Sequence, residues 1–161
     1  MISRLFGKNK AGFCENSRLI SFRYSPGYSD MRGAMHSEEL TRNENGGWIT
    51  VCRDRDSHAE PVAVTVYSVS DAAAEDFTSF LRKSGAASLA DRRKDDLFAT
   101  DYSPWEYEME FDPPRSGSGR GYIRICEYRK YSKRDYALIR ELNSRFRAIR
   151  GEKISETVEP D

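Results

Sequence analysis

Four side chains that could bind a metal ion recur at every second position early in the chain. They are Asp54, Asp56, His58 and Glu60. Residues two apart share one face of an extended strand, so three carboxylates and an imidazole could line that face and coordinate a cation. The same residues could instead form the polar tip of a hairpin. The elements on either side of them decide between a coordination shell and a loop.

The flanking residues favour the loop. Read as a calcium-binding loop, the segment has Ala59 where glycine is needed and Thr65 where the bidentate glutamate is needed. A strand pattern ends near Arg53 and another starts at Pro61, and a connection of about six residues suits a hairpin. We therefore interpret the array as a solvated loop. Contact with a partner and a metal-binding or enzymatic centre are the alternatives.

Other signals of catalysis are weak. The sequence contains no GxSxG, HExxH or SxxK motif, and we find no second-ligand or nucleophile pattern near either histidine, His36 or His58. The glycine-rich segment 117–121 precedes a strand pattern, whereas phosphate-binding loops open onto a helix. We predict that it is a hairpin tip, and that the protein is not an enzyme and needs no cofactor.

Composition limits the partners. The 161 residues carry 26 basic and 26 acidic side chains, so no net charge favours nucleic acid or a membrane surface. Cys14, Cys52 and Cys126 are widely spaced, which supports neither a disulfide framework nor a zinc site. No apolar run resembles a signal peptide or a membrane span. We expect a cytoplasmic protein.

Residues 104–114 alternate as a strand with two unlike faces. The apolar face carries Trp105, Tyr107, Met109 and Phe111. The other face, called the acidic strip below, carries Glu106, Glu108, Glu110 and Asp112. Such a strip could dock on a basic groove of a protein, or it could be the solvated face of a sheet.

A second strand, residues 122–131, is predicted to pair antiparallel with the first. With Phe111 opposite Ile123, Met109 would face Ile125 and Glu110 would face Arg124. Ser132 and Asp135 then form a capping box for a helix over about 132–150. Its basic residues are an alternative nucleic-acid-binding site: Lys130, Lys133, Arg134, Arg140, Arg147 and Arg150.

The whole pattern predicts one α+β domain. Strands are expected over 18–24, 34–42, 48–53 and 61–69, with a hairpin turn at Asn45-Gly46-Gly47 and a helix after Ser70. The element order is β-β-β-β-α-β-β-α, giving a mainly antiparallel sheet of about six strands against two main helices. We assign residues 1–17 to an irregular leader, 18–151 to the domain and 152–161 to a frayed acidic tail.

The segment SPWEYEMEF, a glycine-bearing turn, a second strand and an amphipathic helix carry one resemblance. Over residues 101–149 this layout resembles small uncharacterised bacterial domains in which a D-G-x-x-W-x-(apolar)-x-(apolar) hairpin precedes a C-terminal helix. Tyr102-Ser103-Pro104 stands here in place of the Asp-Gly turn. The resemblance implies α+β architecture and a bacterial or phage setting, and it implies no catalysis.

These observations predict a protein that binds a macromolecule. The first hypothesis is protein binding through the acidic strip and the adjoining loops, as in an inhibitor of a defence or nucleic-acid-processing protein. A nucleic-acid-binding module that uses the basic helix is the second. The sequence does not define the oligomeric state.

Overall fold

The chain forms a layer of strands and a layer of helices. The computed structural model describes residues 18–27, 33–95, 104–112 and 121–160. The strands are β1 (Leu19–Ser25), β2 (Met35–Arg42), β3 (Trp48–Arg55), β4 (Val62–Ser68), β5 (Glu106–Phe111), β6 (Tyr122–Cys126) and β7 (Lys153–Glu159). The helices are α1 (Asp71–Lys83), a 3₁₀ helix (Ala86–Asp91) and α2 (Lys133–Ala148).

The strands make one antiparallel sheet in the order β6-β5-β1-β2-β3-β4-β7. This confirms the predicted α+β class, with seven strands rather than about six among the described residues. The extra strand is β7, which pairs with β4 from Val62↔Glu159 to Tyr67↔Lys153. The prediction of a frayed tail is therefore wrong for residues 153–159. The predicted leader, residues 1–17, lies outside the described part of the chain.

Local signals account for the turns and the helix ends. Gly46 has φ of +81°, and its N–H donates to the Asn43 carbonyl at 2.9 Å, which confirms the predicted β2–β3 hairpin. The Ser70 side chain accepts a hydrogen bond from the Ala73 N–H and caps α1. The capping box of Ser132 and Asp135 is present at the start of α2, as predicted.

Both helices pack on one face of the sheet. Phe22 of β1 lies opposite Leu40 of β2 and Met109 of β5, and all three are buried beneath the helices. The Phe22 ring contacts those of Phe77 in α1 and Phe146 in α2, with centroids 5.0 and 4.7 Å apart. The other face of the sheet, called the open face below, carries the alternate residues of every strand, of which Ser37, Val51 and Val64 are also buried.

The β5–β6 pair differs from the predicted register by two residues. Met109 lies opposite Ile123, and Glu108 lies opposite Arg124, where the sequence analysis placed Phe111 and Glu110. A shift of two residues leaves every side chain on its predicted face, so alternation alone could not distinguish the two registers. The segment that connects the two strands, residues 113–120, lies outside the described residues.

Candidate functional site

The period-two array of metal-binding side chains does not form a cluster. Asp54 lies within β3, which runs to Arg55, and it contacts His36 of β2. His58 lies in the following turn, with its Nδ1 atom 3.5 Å from an Arg55 guanidinium nitrogen. Among the described residues, no group of three or more His, Cys, Asp or Glu side chains could hold a metal ion. The geometry therefore matches the loop interpretation for Asp56, His58 and Glu60. That interpretation is wrong for Asp54, because β3 continues to Arg55 and Asp54 pairs with both β2 and β4.

The acidic strip lies on the open face in the interior of the sheet. β5 pairs with β1 on one side and β6 on the other, so Glu108 has Arg23 and Arg124 as cross-strand neighbours. Arg124 Nε donates to Glu106 Oε2 at 2.7 Å, and the Tyr122 hydroxyl donates to Glu108. Glu106 is therefore paired with a cation within the molecule, whereas Glu108 accepts a hydrogen bond from a neutral hydroxyl.

The far end of the strip is more open. Glu110 and Asp112 are exposed, and neither forms an ion pair with another described residue. Ser21 of β1 lies opposite Glu110, and the Asp112 N–H donates to the Arg18 carbonyl at 2.9 Å. Within the described part of the chain, Glu110 and Asp112 are therefore solvated carboxylates held in no salt bridge.

A cavity of about 420 Å³ adjoins the other end of the strip. Guanidinium groups from three strands line it, from Arg23, Arg55 and Arg124, together with Glu106. Arg55 Nε donates to the Gly33 carbonyl at 3.1 Å, which fixes one of these side chains. Carboxylates and guanidinium groups thus follow one another along the open face.

Burial and hydrogen bonding shift the pKa of two groups beside the strip. Burial and then the hydrogen bond to Glu108 raise the pKa of Tyr122 to about 12. The hydrogen bond to Glu106 raises the pKa of Arg124. Tyr122 therefore stays a neutral donor and Arg124 a cation at neutral pH.

The basic residues assigned to the alternative site separate into two groups. Lys130, Lys133, Arg134 and Arg140 are exposed at and beyond the start of α2. Arg150 instead donates to Glu38 Oε2 at 2.7 Å, and an Arg147 guanidinium nitrogen lies 3.9 Å from Glu38 Oε1. Arg147 and Arg150, which the sequence analysis assigned to nucleic-acid binding, therefore hold the C-terminal end of α2 to the sheet.

Glu38 lies at the centre of a charged cluster that the sequence analysis did not identify. Its side chain is only 5% exposed, and it accepts from Arg150 and from His36, whose Nε2 atom lies 2.9 Å from Glu38 Oε1. The other ring nitrogen of His36 contacts Asp54. The available signal was the pattern His36-x-Glu38-x-Leu40, because alternation places Glu38 on the face of buried Leu40.

The pKa shifts in this cluster favour its charged forms. The hydrogen bond to Glu38 raises the pKa of His36 against the opposing effect of burial, and Asp54 adds to the increase. Burial works against ionisation of Glu38, but the hydrogen bond from His36 and the charge of Arg150 lower its pKa overall. We interpret the cluster as a structural contact that holds the end of α2 to the sheet. Nearby, burial raises the pKa of Cys52 to about 11, so this thiol is a poor nucleophile at neutral pH.

Comparison with known proteins adds no relative. No protein-family model, no curated protein and no solved structure matches the chain. None of the helices in the described residues combines the length and apolar character that crossing a membrane requires.

Proposed function

We propose that the protein is a non-enzymatic module that binds another protein through the open face of its sheet. The observation that carries this proposal is the position of Glu110 and Asp112. They are exposed on the face opposite both described helices, and neither forms an ion pair with another described residue. Carboxylates without an internal ion pair cost less to bring into an interface, because no existing salt bridge is broken.

The partner that fits this face has a basic surface with some acidic groups. The acidic strip would contact its cations, and the arginine-lined cavity would accept a carboxylate or a backbone carbonyl. Enzymes that process nucleic acids carry basic grooves, so an inhibitor of such an enzyme is the most specific form of the proposal. Electrostatic steering would then make association fast and sensitive to salt.

The test uses two double variants with the same change in net charge. E110K/D112K reverses the open end of the acidic strip, and E44K/E75K reverses two exposed acids in the β2–β3 turn and on α1. Proteins captured on the immobilised wild type are identified, purified and titrated against all three forms. We expect E110K/D112K to weaken binding at least about 10-fold, as for close interfacial charge pairs. Equal binding by both variants contradicts the proposal.

The second candidate is nucleic-acid binding by the start of α2. It is favoured by the exposure of Lys130, Lys133, Arg134 and Arg140, of which Lys133 and Arg140 are two helical turns apart. A fluorescent 20-nucleotide RNA would then bind at 50 mM salt and dissociate steeply by about 200 mM. R134E/R140E should abolish binding of the RNA, and E110K/D112K, the control variant, should bind it as the wild type does. Binding of the RNA with this pattern would replace the first proposal.

A further inference from the structure

The two edges of the sheet are built differently. β6 is five residues long and contacts the 3₁₀ helix, and the chain beyond it is bridged to residues 93–95. There the Asp95 N–H donates to the Tyr128 carbonyl and the Lys130 N–H to the Arg93 carbonyl, both at 2.8 Å. Short length and a covering segment are the usual protections of an edge strand.

β7 at the other edge has no such cover within the described residues. It is seven residues long, every residue is exposed, and it pairs on one side only, with β4. Ile154 and Val158 are 58% and 60% exposed, which is unusual for large apolar side chains in a strand. An exposed edge of this length is a template for pairing with another strand.

The sequence of β7 fits antiparallel pairing with itself. With Glu156 at the centre, Ile154 lies opposite Val158 of the second strand, and Ser155 lies opposite Thr157. Moving the centre by one residue in either direction puts Glu156 opposite Val158 or Ile154. Only the Glu156-centred register matches apolar with apolar and hydroxyl with hydroxyl, which are favourable cross-strand pairs.

We propose that β7 pairs antiparallel with β7 of a second copy of this chain, with the two-fold axis at Glu156. Such an interface is isologous, so each matched pair occurs twice. The one unfavourable contact is Glu156 with its own copy. Lys153 contacts Glu156 within each chain and lowers the pKa of that carboxyl, so each copy brings its own counter-charge to the axis.

The dimer is expected to be weak. Seven extended residues span roughly 23 Å. Edge pairing alone buries less than the roughly 1,200 Å² of total surface that is typical of stable complexes. The association should therefore depend on concentration, with a dissociation constant on the order of 100 µM.

Sedimentation velocity from about 10 µM to about 1 mM tests the proposal directly. We expect wild type to pass from monomer to dimer over this range, and I154K to weaken the dimer at least about 10-fold. I154K/V158E should recover dimerisation, because the introduced lysine and glutamate face each other across the strands twice. E156T should strengthen it by removing the like charges at the axis.

Y136K on α2 is the matched control, since Tyr136 is also exposed and lies away from β7. It should dimerise as wild type does, and circular dichroism melts confirm that all variants fold. A wild type that stays monomeric to about 1 mM overturns the proposal. So does a dimer that I154K leaves unchanged, or one that I154K/V158E does not restore.

Discussion

Glu38 is a buried charge that joins two layers of the molecule. It lies on the core face of β2, next to Leu40 in the alternation, and it holds Arg150 just beyond α2. The Arg150 guanidinium also lies over the Tyr67 ring, 4.7 Å from its centroid. The chain turns from α2 into β7 at this point, so the cluster helps to fix the path of the last strand.

Removal of Glu38 should destabilise the fold strongly. E38A leaves Arg150 partly buried without its counter-charge, and breaking a buried ion pair costs about 3 kcal/mol. E39A is the matched control, because Glu39 is the next residue and points to the open face. Its Oε2 atom lies 3.7 Å from Arg53 Nη1. That partly exposed pair should contribute less than about 1 kcal/mol. Urea unfolding at pH 7 measures both, and equal losses would contradict the account.

His36 should make stability fall as the pH rises. Its pKa is raised in the folded protein by Glu38 and then Asp54, so the protonated ring contributes stability fully below the unfolded value of about 6.5. That contribution is lost as the pH rises through the folded pKa. Urea unfolding between pH 5.5 and 9 should show that the difference in free energy of unfolding between the wild type and H36Q becomes smaller as the pH rises. A constant difference would contradict this assignment.

The sequence was enough to predict which face of the sheet each charged side chain of β5 occupies, but not which residue it contacts. It put Glu106, Glu108 and Glu110 on the solvent side of β5, where they are. It paired Arg124 with Glu110, whereas Arg124 lies opposite Glu108 and donates to Glu106. The Glu38 cluster draws on β2, β3 and the end of α2, and no local pattern specifies such distant contacts.

At the scale of elements, the start of α2 is fixed by three groups. Asp135 accepts from the Ser132 N–H at 3.1 Å and from Arg92 at two 3.0 Å contacts, and Ser132 Oγ accepts from the Asp135 N–H at 3.1 Å. The hydrogen bond from Arg92 lowers the pKa of Asp135 despite burial, so the carboxylate is charged at neutral pH. The capping box therefore also ties α2 to the segment after the 3₁₀ helix.

The loss of stability on substitution at this cap should increase with the number of hydrogen bonds that the substitution removes. S132A loses one cap and should cost about 1 kcal/mol. D135A loses the reciprocal cap and the bidentate arginine, so we expect about 2 kcal/mol or more. R134A changes an exposed residue in the same turn and should stay within about 0.5 kcal/mol. Urea unfolding ranks the three, and a D135A protein as stable as R134A would contradict the role of Arg92.

The strands inside the sheet and both helices were predictable, whereas β7 was not. Interior strands and helices bury one face, which leaves a hydrophobic period in the sequence. β7 is exposed at every position, so its stability comes from backbone hydrogen bonds to β4 and leaves no such period. Its acidic composition then suggested a tail. Strand content that depends on an adjacent edge is set by tertiary structure rather than by local pattern.

At the scale of the whole molecule, the helices divide the sheet into a packed face and an open face. The packed face contains the core, and the open face carries a row of charges that starts at the arginine-lined cavity and ends at Asp112. The sequence predicted the two layers, because amphipathic strands and helices must bury their apolar sides together. It could not predict the cavity, which forms where three separate strands come together.

Binding of a protein by the open face, as we propose, is tested most directly by hydrogen–deuterium exchange of the wild type with and without its purified partner. The account predicts slower exchange in residues 104–112 and 121–126, with little change in α2. Slower exchange confined to residues 133–148, with no change in β5, would contradict it.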